Sequence, residues 1–137
     1  DRESVSLSQM YSIKGVEVIQ GSYAIKNSYG SSFAPVTAGR GKKLIVIHFR
    51  IKNTTSRKKR VDLSADNLSY QLEIDGKTMK SPLLSIVKGD LQYFNQKVGA
   101  GNSKPAVLLF EVNKLQKIKN ANMIVSDERH SATVAID

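Results

Sequence analysis

The longest strongly apolar run in the chain, Lys43 to Asn53, alternates between apolar and polar positions. The apolar positions of the alternation are Ile45, Ile47, Phe49 and Ile51, and the polar positions are His48, Arg50 and Lys52. Because successive side chains of a strand point to opposite faces of a sheet, this pattern predicts a half-buried β-strand. Leu44 and Val46 interrupt the pattern, which indicates that the first half of the strand is covered on both faces.

Other short segments carry a similar pattern and are separated by turn residues. The predicted strands are Tyr11 to Ile19, Lys58 to Leu63, Leu68 to Ile74, Leu91 to Val98, Lys104 to Val112, Ala121 to Val125 and Ser131 to Ile136. Asp75-Gly76 predicts a hairpin turn, since both positions of such a turn need a positive φ. Ser81 to Lys88 predicts one helical turn or an irregular crossing, and Asn113 to Asn120 predicts one turn of helix.

Seven to nine short strands, with at most one or two short helical turns, predict an all-β fold. The expected architecture is an antiparallel β-sandwich, with a closed barrel as the alternative. The length of 137 residues is usual for one domain. Residues 1–10 are polar and serine-rich, which predicts a flexible N-terminal segment or an edge strand, and residues 11–137 are expected to form the domain.

Composition excludes several kinds of chemistry. The chain has no cysteine, so it holds no disulfide, thiolate nucleophile, cysteine-based zinc site or iron–sulfur cluster. No apolar run approaches the roughly 20 residues that cross a bilayer. The first ten residues lack an initiator methionine and the apolar core of a signal peptide, so we expect a processed or excised chain.

The positive charge is concentrated in one stretch. The net charge is +9, and the stretch from Arg40 to Arg60 contains nine cations and no acid, so it accounts for the whole of it. A basic patch attracts polyanions. The candidate anion-binding residues are Arg40, Lys42, Lys43, Arg57, Lys58, Lys59 and Arg60.

The densest part of this stretch, Ser56 to Arg60, has two interpretations. It is either a loop that contacts phosphates of teichoic acid, anionic lipid or nucleic acid, or a solvated turn that protects a sheet edge from pairing. Aromatic residues are not interleaved with the cations, as they are in proteins that stack on single strands, which disfavours nucleic acid.

The two histidines give little support to catalysis. His48 alternates with Arg50 and Lys52 along the predicted strand, and these two cations would repel a metal ion. His130 follows Asp127, Glu128 and Arg129, but these residues lack a regular metal-ligand spacing. There is no nucleophile elbow, P-loop or dinucleotide-binding motif. We therefore predict no catalytic residue, no metal and no cofactor, and keep a small hydrolase or metal-dependent enzyme as a remote alternative.

Three segments together resemble a known family. They are the strand ending in Asn53 (VIHFRIKNTT), the strand closing on Asp-Gly-Lys (LSYQLEIDGKT) and the later apolar strand (KPAVLLFEV). The chain resembles, from about Tyr11 to Ile136, the telokin-like immunoglobulin-fold domain of Gram-positive secreted proteins and lipoproteins, and is similar to the mycobacterial secreted immunoprotective antigen of that fold. The family's proline-glycine-acid turn is here Gly99-Ala100-Gly101-Asn102.

This resemblance implies an immunoglobulin-like β-sandwich outside the cytoplasm. It implies export by a signal peptide, since removed, and a lipid anchor upstream of Asp1 on the outer face of the cell membrane. It implies no catalytic residue. The expected function is a binding or structural module for anionic cell-wall polymer, anionic lipid or another surface protein, with a basic nucleic-acid-binding β-domain as the first alternative.

Overall fold

The strands form two main sheets that face each other across one core. The structure, a computed structural model, describes residues 2–12, 15–85 and 87–137. One sheet has five strands in the order β1-β12-β11-β7-β8, and the other has three in the order β10-β5-β2. The pairs β3-β4 and β6-β9 form two further small sheets. The strands are β1 (Glu3–Ser4), β2 (Val16–Lys26), β3 (Ser28–Tyr29), β4 (Val36–Thr37), β5 (Lys42–Asn53), β6 (Lys59–Asp62), β7 (Ser69–Ile74), β8 (Thr78–Lys80), β9 (Asn95–Val98), β10 (Ser103–Asn113), β11 (Ala121–Ser126) and β12 (His130–Ala135).

The predicted fold class is confirmed. Three of the twelve strands in the described residues have only two residues, which leaves nine longer ones. The helical content there is one helix, α1 (Leu7–Ser12), and one 3-10 turn, Leu91–Tyr93. Almost all strand pairs are antiparallel, and the pair of β1 with β12 is parallel. The hairpin turn is also confirmed, since Asp75 and Gly76 have φ values of 52° and 66°.

Strand β5 is the central strand of its sheet and has the predicted register. Ile45, Ile47, Phe49 and Ile51 are buried in the main core, and His48, Arg50 and Lys52 are exposed on the other face. The main core is completed by inward-facing residues of the opposite sheet, such as Tyr70, Leu72 and Met123. This alternation places the apolar side of the strand between the two sheets.

The outer face of β5 is covered over its first half, as Leu44 and Val46 predict. These two side chains form a second cluster with Val107 and Leu109 of β10. Residues 28–38 and residues 83–85 and 87–90, which we call the strap, lie over this cluster and contribute Tyr29, Val36, Ala38, Leu83 and Val87 to it. The strap also covers the free edge of β10, because the N–H of Leu83 donates to Leu109 O (2.7 Å) and the N–H of Val107 to Gly89 O (2.8 Å).

The predicted strand from Tyr11 to Ile19 is wrong in its first part, since Tyr11 lies in α1 and the strand begins at Val16. Ile13 and Lys14, which this prediction also included, lie outside the described residues. A capping box starts the helix: the N–H of Gln9 donates to Ser6 Oγ (3.2 Å) and the N–H of Ser6 to Gln9 Oε1 (2.9 Å). The helix buries Met10 and Tyr11 in the core.

The predicted strand from Leu91 to Val98 is also wrong at its start. Asp90 is buried, and its Oδ1 accepts from the N–H of Gln92 (2.9 Å), which caps the 3-10 turn Leu91–Tyr93. Its Oδ2 accepts from Ser85 Oγ (2.7 Å). Strand pairing therefore begins only at Asn95. Among the described residues of the segment 81–88 the chain crosses irregularly, and the segment 113–120 contains a turn in place of the predicted helical turn.

Two phenylalanines of opposite burial test this description of the core. Phe49 is 5% exposed and Phe33 is 98% exposed. Phe49→Ala should lower the free energy of unfolding by roughly 3–5 kcal/mol, because it removes a buried ring and leaves a cavity. Phe33→Ala should change it by less than about 0.5 kcal/mol. Chemical denaturation measures both, and equal effects would contradict the burial of β5.

Candidate anion-binding site

The basic loop after β5 is organised by one buried side chain, that of Asn53, which is 0% exposed. Its Nδ2 donates to Arg57 O (2.8 Å) and to Val98 O (2.9 Å). Its Oδ1 accepts from the N–H of Thr55 (2.9 Å) and lies 2.6 Å from Thr55 Oγ1. These bonds close the loop of residues 54–58 against the end of β9.

The backbone of Asn53 holds the neighbouring turn. Its N–H donates to Asn102 O (3.0 Å), and its carbonyl accepts from the N–H of Gly101 (2.9 Å). Gly101 has a φ of 69°, a conformation that favours glycine. Asn53 therefore joins the basic loop, the end of β9 and the turn 99–102, and each of its backbone and side-chain polar groups has a partner.

The loop presents Arg57 and Lys58 to solvent. Both residues are exposed, and within the described part of the chain their side chains make no hydrogen bond or ion pair. The loop backbone is fixed at Arg57 O by Asn53, so these two charges project from a held loop. Unpaired cations on a held loop can contact an anion without first breaking an internal ion pair.

The pair of β6 and β9 adds two further cations beside the loop. Arg60 and Lys97 are direct partners in the register of this pair, and both are exposed. Arg60 Nη1 lies 3.0 Å from Asn95 Oδ1 and 3.2 Å from Asn95 O, which orients the guanidinium group. Because directly opposite residues share a face of the sheet, the charges of Arg60 and Lys97 lie on the same surface. We call Arg57, Lys58, Arg60 and Lys97 the cationic surface.

Lys59 is arranged differently from its neighbours. It is half-buried, and its side chain lies against Gly15 so closely that a side chain on Gly15 would collide with Lys59 Nζ. Gly15 also has a φ of 75°. The Lys59 side chain is therefore packed against Gly15, directly before β2.

The remaining candidate cations lie at the other end of β5. Arg40 is exposed in the turn before the strand. Lys42 Nζ donates to Asn113 Oδ1 (2.6 Å), and Lys43 Nζ donates to Gln116 O (2.7 Å). Ten residues separate Lys43 from Asn53, and at about 3.3 Å per residue the strand holds the two groups roughly 30 Å apart. The structure does not bring the seven candidates together in one surface.

Sequence reasoning missed Asn53 and Lys97. An Asn followed two residues later by Thr is a signal for a side-chain-bonded turn, and Asn53-Thr54-Thr55 carries it. No local signal places Lys97 beside Arg60, because the two residues meet only through the pairing of strands distant in sequence.

Both histidine side chains make local structural contacts. His48 is exposed, and its ring lies 5.7 Å from that of Tyr29. His130 Nδ1 lies 3.3 Å from both carboxylate oxygens of Asp127, and its Nε2 lies 3.9 Å from Glu3 Oε2. Arg2 Nε donates to Asp127 O (2.6 Å). These contacts fasten β1 to the start of β12.

The Asp127 carboxylate has a shifted pKa. Slight burial acts to raise the pKa of Asp127, but hydrogen bonds from the backbone N–H of Arg129 and His130, and from the His130 ring, outweigh burial and lower it below its ordinary value of 3.8. The folded state therefore favours the ionised carboxylate.

Two buried tyrosines are structural. Burial raises the pKa of both Tyr11 and Tyr70 well above the ordinary value of 10.0. Tyr70 Oη donates to Leu63 O (2.6 Å). Both phenols therefore stay neutral at physiological pH.

The described residues contain no group of three or more His, Asp or Glu side chains placed to hold a metal ion. In the same part of the chain, no helix has the length and apolar character needed to cross a membrane.

The fold defines a β-sandwich domain with a cationic surface at one end, and it matches solved structures. An uncharacterised β-sandwich protein from Clostridium difficile matches with a TM-score of 0.57 and 14% identity over 97% of this chain and 93% of its own. A conserved hypothetical protein from Bacillus anthracis matches with a TM-score of 0.55 and 14% identity over 88% of each chain.

Weaker comparisons add nothing to this. A candidate lipoprotein from Staphylococcus aureus has a TM-score of 0.45 and 16% identity over 90% of this chain and 85% of its own. No family model matches the chain, and a search of curated proteins also finds no match. The comparisons therefore establish the fold alone.

Asn53→Ala should destabilise the protein by about 2–4 kcal/mol, because it removes the buried amide that donates to Arg57 O and Val98 O and accepts from the N–H of Thr55. Asn67→Ala is the matched control, since Asn67 is exposed and its side chain makes no hydrogen bond with other described residues. Urea denaturation measures both variants. A small loss for Asn53→Ala, equal to that of the control, would show that Asn53 does not hold the loop.

Asp127→Asn should show the pH dependence that the lowered pKa implies. Stabilisation by the ionised carboxylate is present above the unfolded-state pKa and is lost as pH falls through the lower folded-state pKa. The variant should thus be less stable than the wild type at pH 6, and the difference should shrink as pH falls below 3.8. Denaturation midpoints at several pH values, with exposed Asp66→Asn as control, measure this. A difference that does not change with pH would refute it.

Proposed function

We propose that this chain is a non-catalytic binding module whose cationic surface binds a phosphate-bearing polymer of the Gram-positive cell envelope, such as wall teichoic acid. The observation that carries the proposal is the loop of residues 54–58, which Asn53 holds by its side chain while Arg57 and Lys58 remain free of anionic partners in the described structure. Arg60 and Lys97 extend the charge along the adjacent pair of strands.

The energetics favour a charged polymer over a small ligand. The cationic surface is exposed and is built from separate point charges, so each contact with phosphate is modest, on the order of 1 kcal/mol at low salt. A polymer with repeated phosphates engages several cations at once. Holding the loop in advance reduces the entropy that binding would otherwise lose.

The cellular location is part of the proposal. The sequence resemblance to the telokin-like immunoglobulin-fold domain supports a place on the outer face of the cell membrane, with a lipid anchor upstream of Asp1. The β-sandwich matches from Clostridium difficile and Bacillus anthracis share the fold and come from Gram-positive bacteria.

The test removes two charges that should have no structural role. Arg57→Ser with Lys58→Ser should leave the free energy of unfolding within about 0.5 kcal/mol of the wild type. It should weaken binding to purified teichoic acid about thirtyfold at low salt, if each cation contributes about 1 kcal/mol. It should also make the salt dependence of binding shallower.

Lys117→Ser with Lys119→Ser is the matched control, because it removes the same charge from another exposed loop. Equal losses for the two double variants would show that only net charge matters and would refute the site. Competition with single-stranded and duplex DNA distinguishes nucleic acid from teichoic acid as the ligand. Tighter binding of DNA than of teichoic acid would favour a nucleic-acid-binding domain instead.

A further inference from the structure

The strap forms an open groove on the outer face of the three-stranded sheet, apart from the cationic surface. One part of the groove, of about 650 Å³, is lined by Lys26, Ser28, Tyr29, Ser31 and Lys88. A second part, of about 390 Å³, is lined by Pro35, Val36, Leu84 and Tyr93. Ala34 lines both parts, so the two depressions adjoin at this residue. A cationic, hydroxyl-rich end thus adjoins an apolar end.

The cations of the groove have no internal partners. Lys26 and Lys88 are exposed, and among the described residues neither side chain makes a hydrogen bond or ion pair. They lie on different segments, at the end of β2 and in the strap, and both line the same depression as Ser28 and Ser31. This end can contact anionic groups.

The apolar end exposes large side chains that folding leaves uncovered. Leu84 is 81% exposed and Tyr93 is 56% exposed, and both line the groove. Phe33, which directly precedes Ala34, is 98% exposed. Leu84 and Tyr93 are exposed in the same depression, and Phe33 adjoins it as the chain neighbour of Ala34. Large apolar side chains exposed near one another mark an interaction surface.

We infer that this groove docks on an anionic bilayer surface, with Phe33 and Leu84 entering the interfacial region of the membrane, Tyr93 lying at headgroup level, and Lys26 and Lys88 contacting lipid phosphates. Apolar and aromatic side chains flanked by lysine are the composition that binds the headgroup–acyl boundary. The near-complete exposure of Phe33 suits insertion into lipid better than enclosure of a small ligand, because a ligand pocket must surround its ligand.

The inference is independent of the proposed polymer site. Lys26 pairs with Leu44 near the start of β5, whereas the basic loop follows Asn53 at its end. Nine residues of strand, roughly 30 Å, lie between these points. The basic loop is therefore far from the Lys26 end of the groove, and no residue of the cationic surface lines the groove. At the apolar end, Tyr93 lies two residues before Asn95, which binds Arg60.

The chain contains no tryptophan, so a single introduced tryptophan reports insertion into lipid directly. Phe33→Trp should show a blue shift of its emission when phosphatidylglycerol vesicles are added, and a smaller one with phosphatidylcholine vesicles. Met79→Trp is the control: Met79 is 45% exposed and is the register partner of Glu73 in the opposite sheet. Its emission should not change.

Vesicle co-sedimentation supplies the second measurement. Phe33→Ser with Leu84→Ser should lower the partition coefficient at least about tenfold, and Met79→Ser should leave it unchanged. Lys26→Ser and Lys88→Ser should each lower it about fivefold on anionic vesicles, with no effect on neutral ones. The Arg57→Ser, Lys58→Ser variant should bind vesicles as the wild type does.

Several results would overturn the inference. They are the absence of a blue shift for Phe33→Trp, equal shifts for the two tryptophan variants, or unchanged sedimentation after removal of Phe33 and Leu84. If vesicle binding were lost instead with Arg57 and Lys58, the basic loop would be the lipid site and the groove would not. Teichoic acid binding by the Phe33, Leu84 variant tests the polymer proposal separately.

Discussion

The burial of β5 on both faces over its first half is the constraint on which the other features depend. Ile45 and Ile47 fill the space between the sheets, while Leu44 and Val46 need a cover on the outside. The strap provides that cover, because apolar side chains on an outer face would otherwise stay in water. The strap in turn leaves the groove on its surface, where Leu84 is exposed, and leaves Phe33 exposed beside it.

The second half of β5 ends at the residue that positions the basic loop. Only one of its faces is buried, and the strand ends in a buried polar residue, Asn53. A buried amide is tolerated only when its hydrogen bonds are made, and those of Asn53 are made to the basic loop, to β9 and to the turn 99–102. The hydrogen bonds that satisfy the buried Asn53 amide are therefore the same bonds that fix the loop. The fixed loop exposes Arg57 and Lys58, which form no ion pair with other described residues.

Local patterns were sufficient for the fold class and for the register of β5, because alternation and turn residues such as Asp75-Gly76 are short-range signals. The helix α1 was missed although Ser6 and Gln9 carry the capping-box spacing, since the alternation that follows them favoured a strand. The candidate site was predicted only in part. Charge density along the chain identified Arg57, Lys58 and Arg60, but it also grouped them with Lys42 and Lys43. The last two lie at the start of β5, at the opposite end of the strand from the basic loop. Lys97 lies beside Arg60 only because β6 pairs with β9, and local composition does not predict which strands pair.

The proposed function requires the loop held by Asn53 to form a specific surface for phosphate polymer. Backbone amide chemical shifts during titration with poly(glycerol phosphate) test it most directly. The shift changes should saturate with added polymer and should be confined to the loop of residues 55–58 and to Arg60 and Lys97. Changes of equal size at the loop containing Lys117 and Lys119, or changes confined to the groove around Lys26 and Lys88, would contradict it.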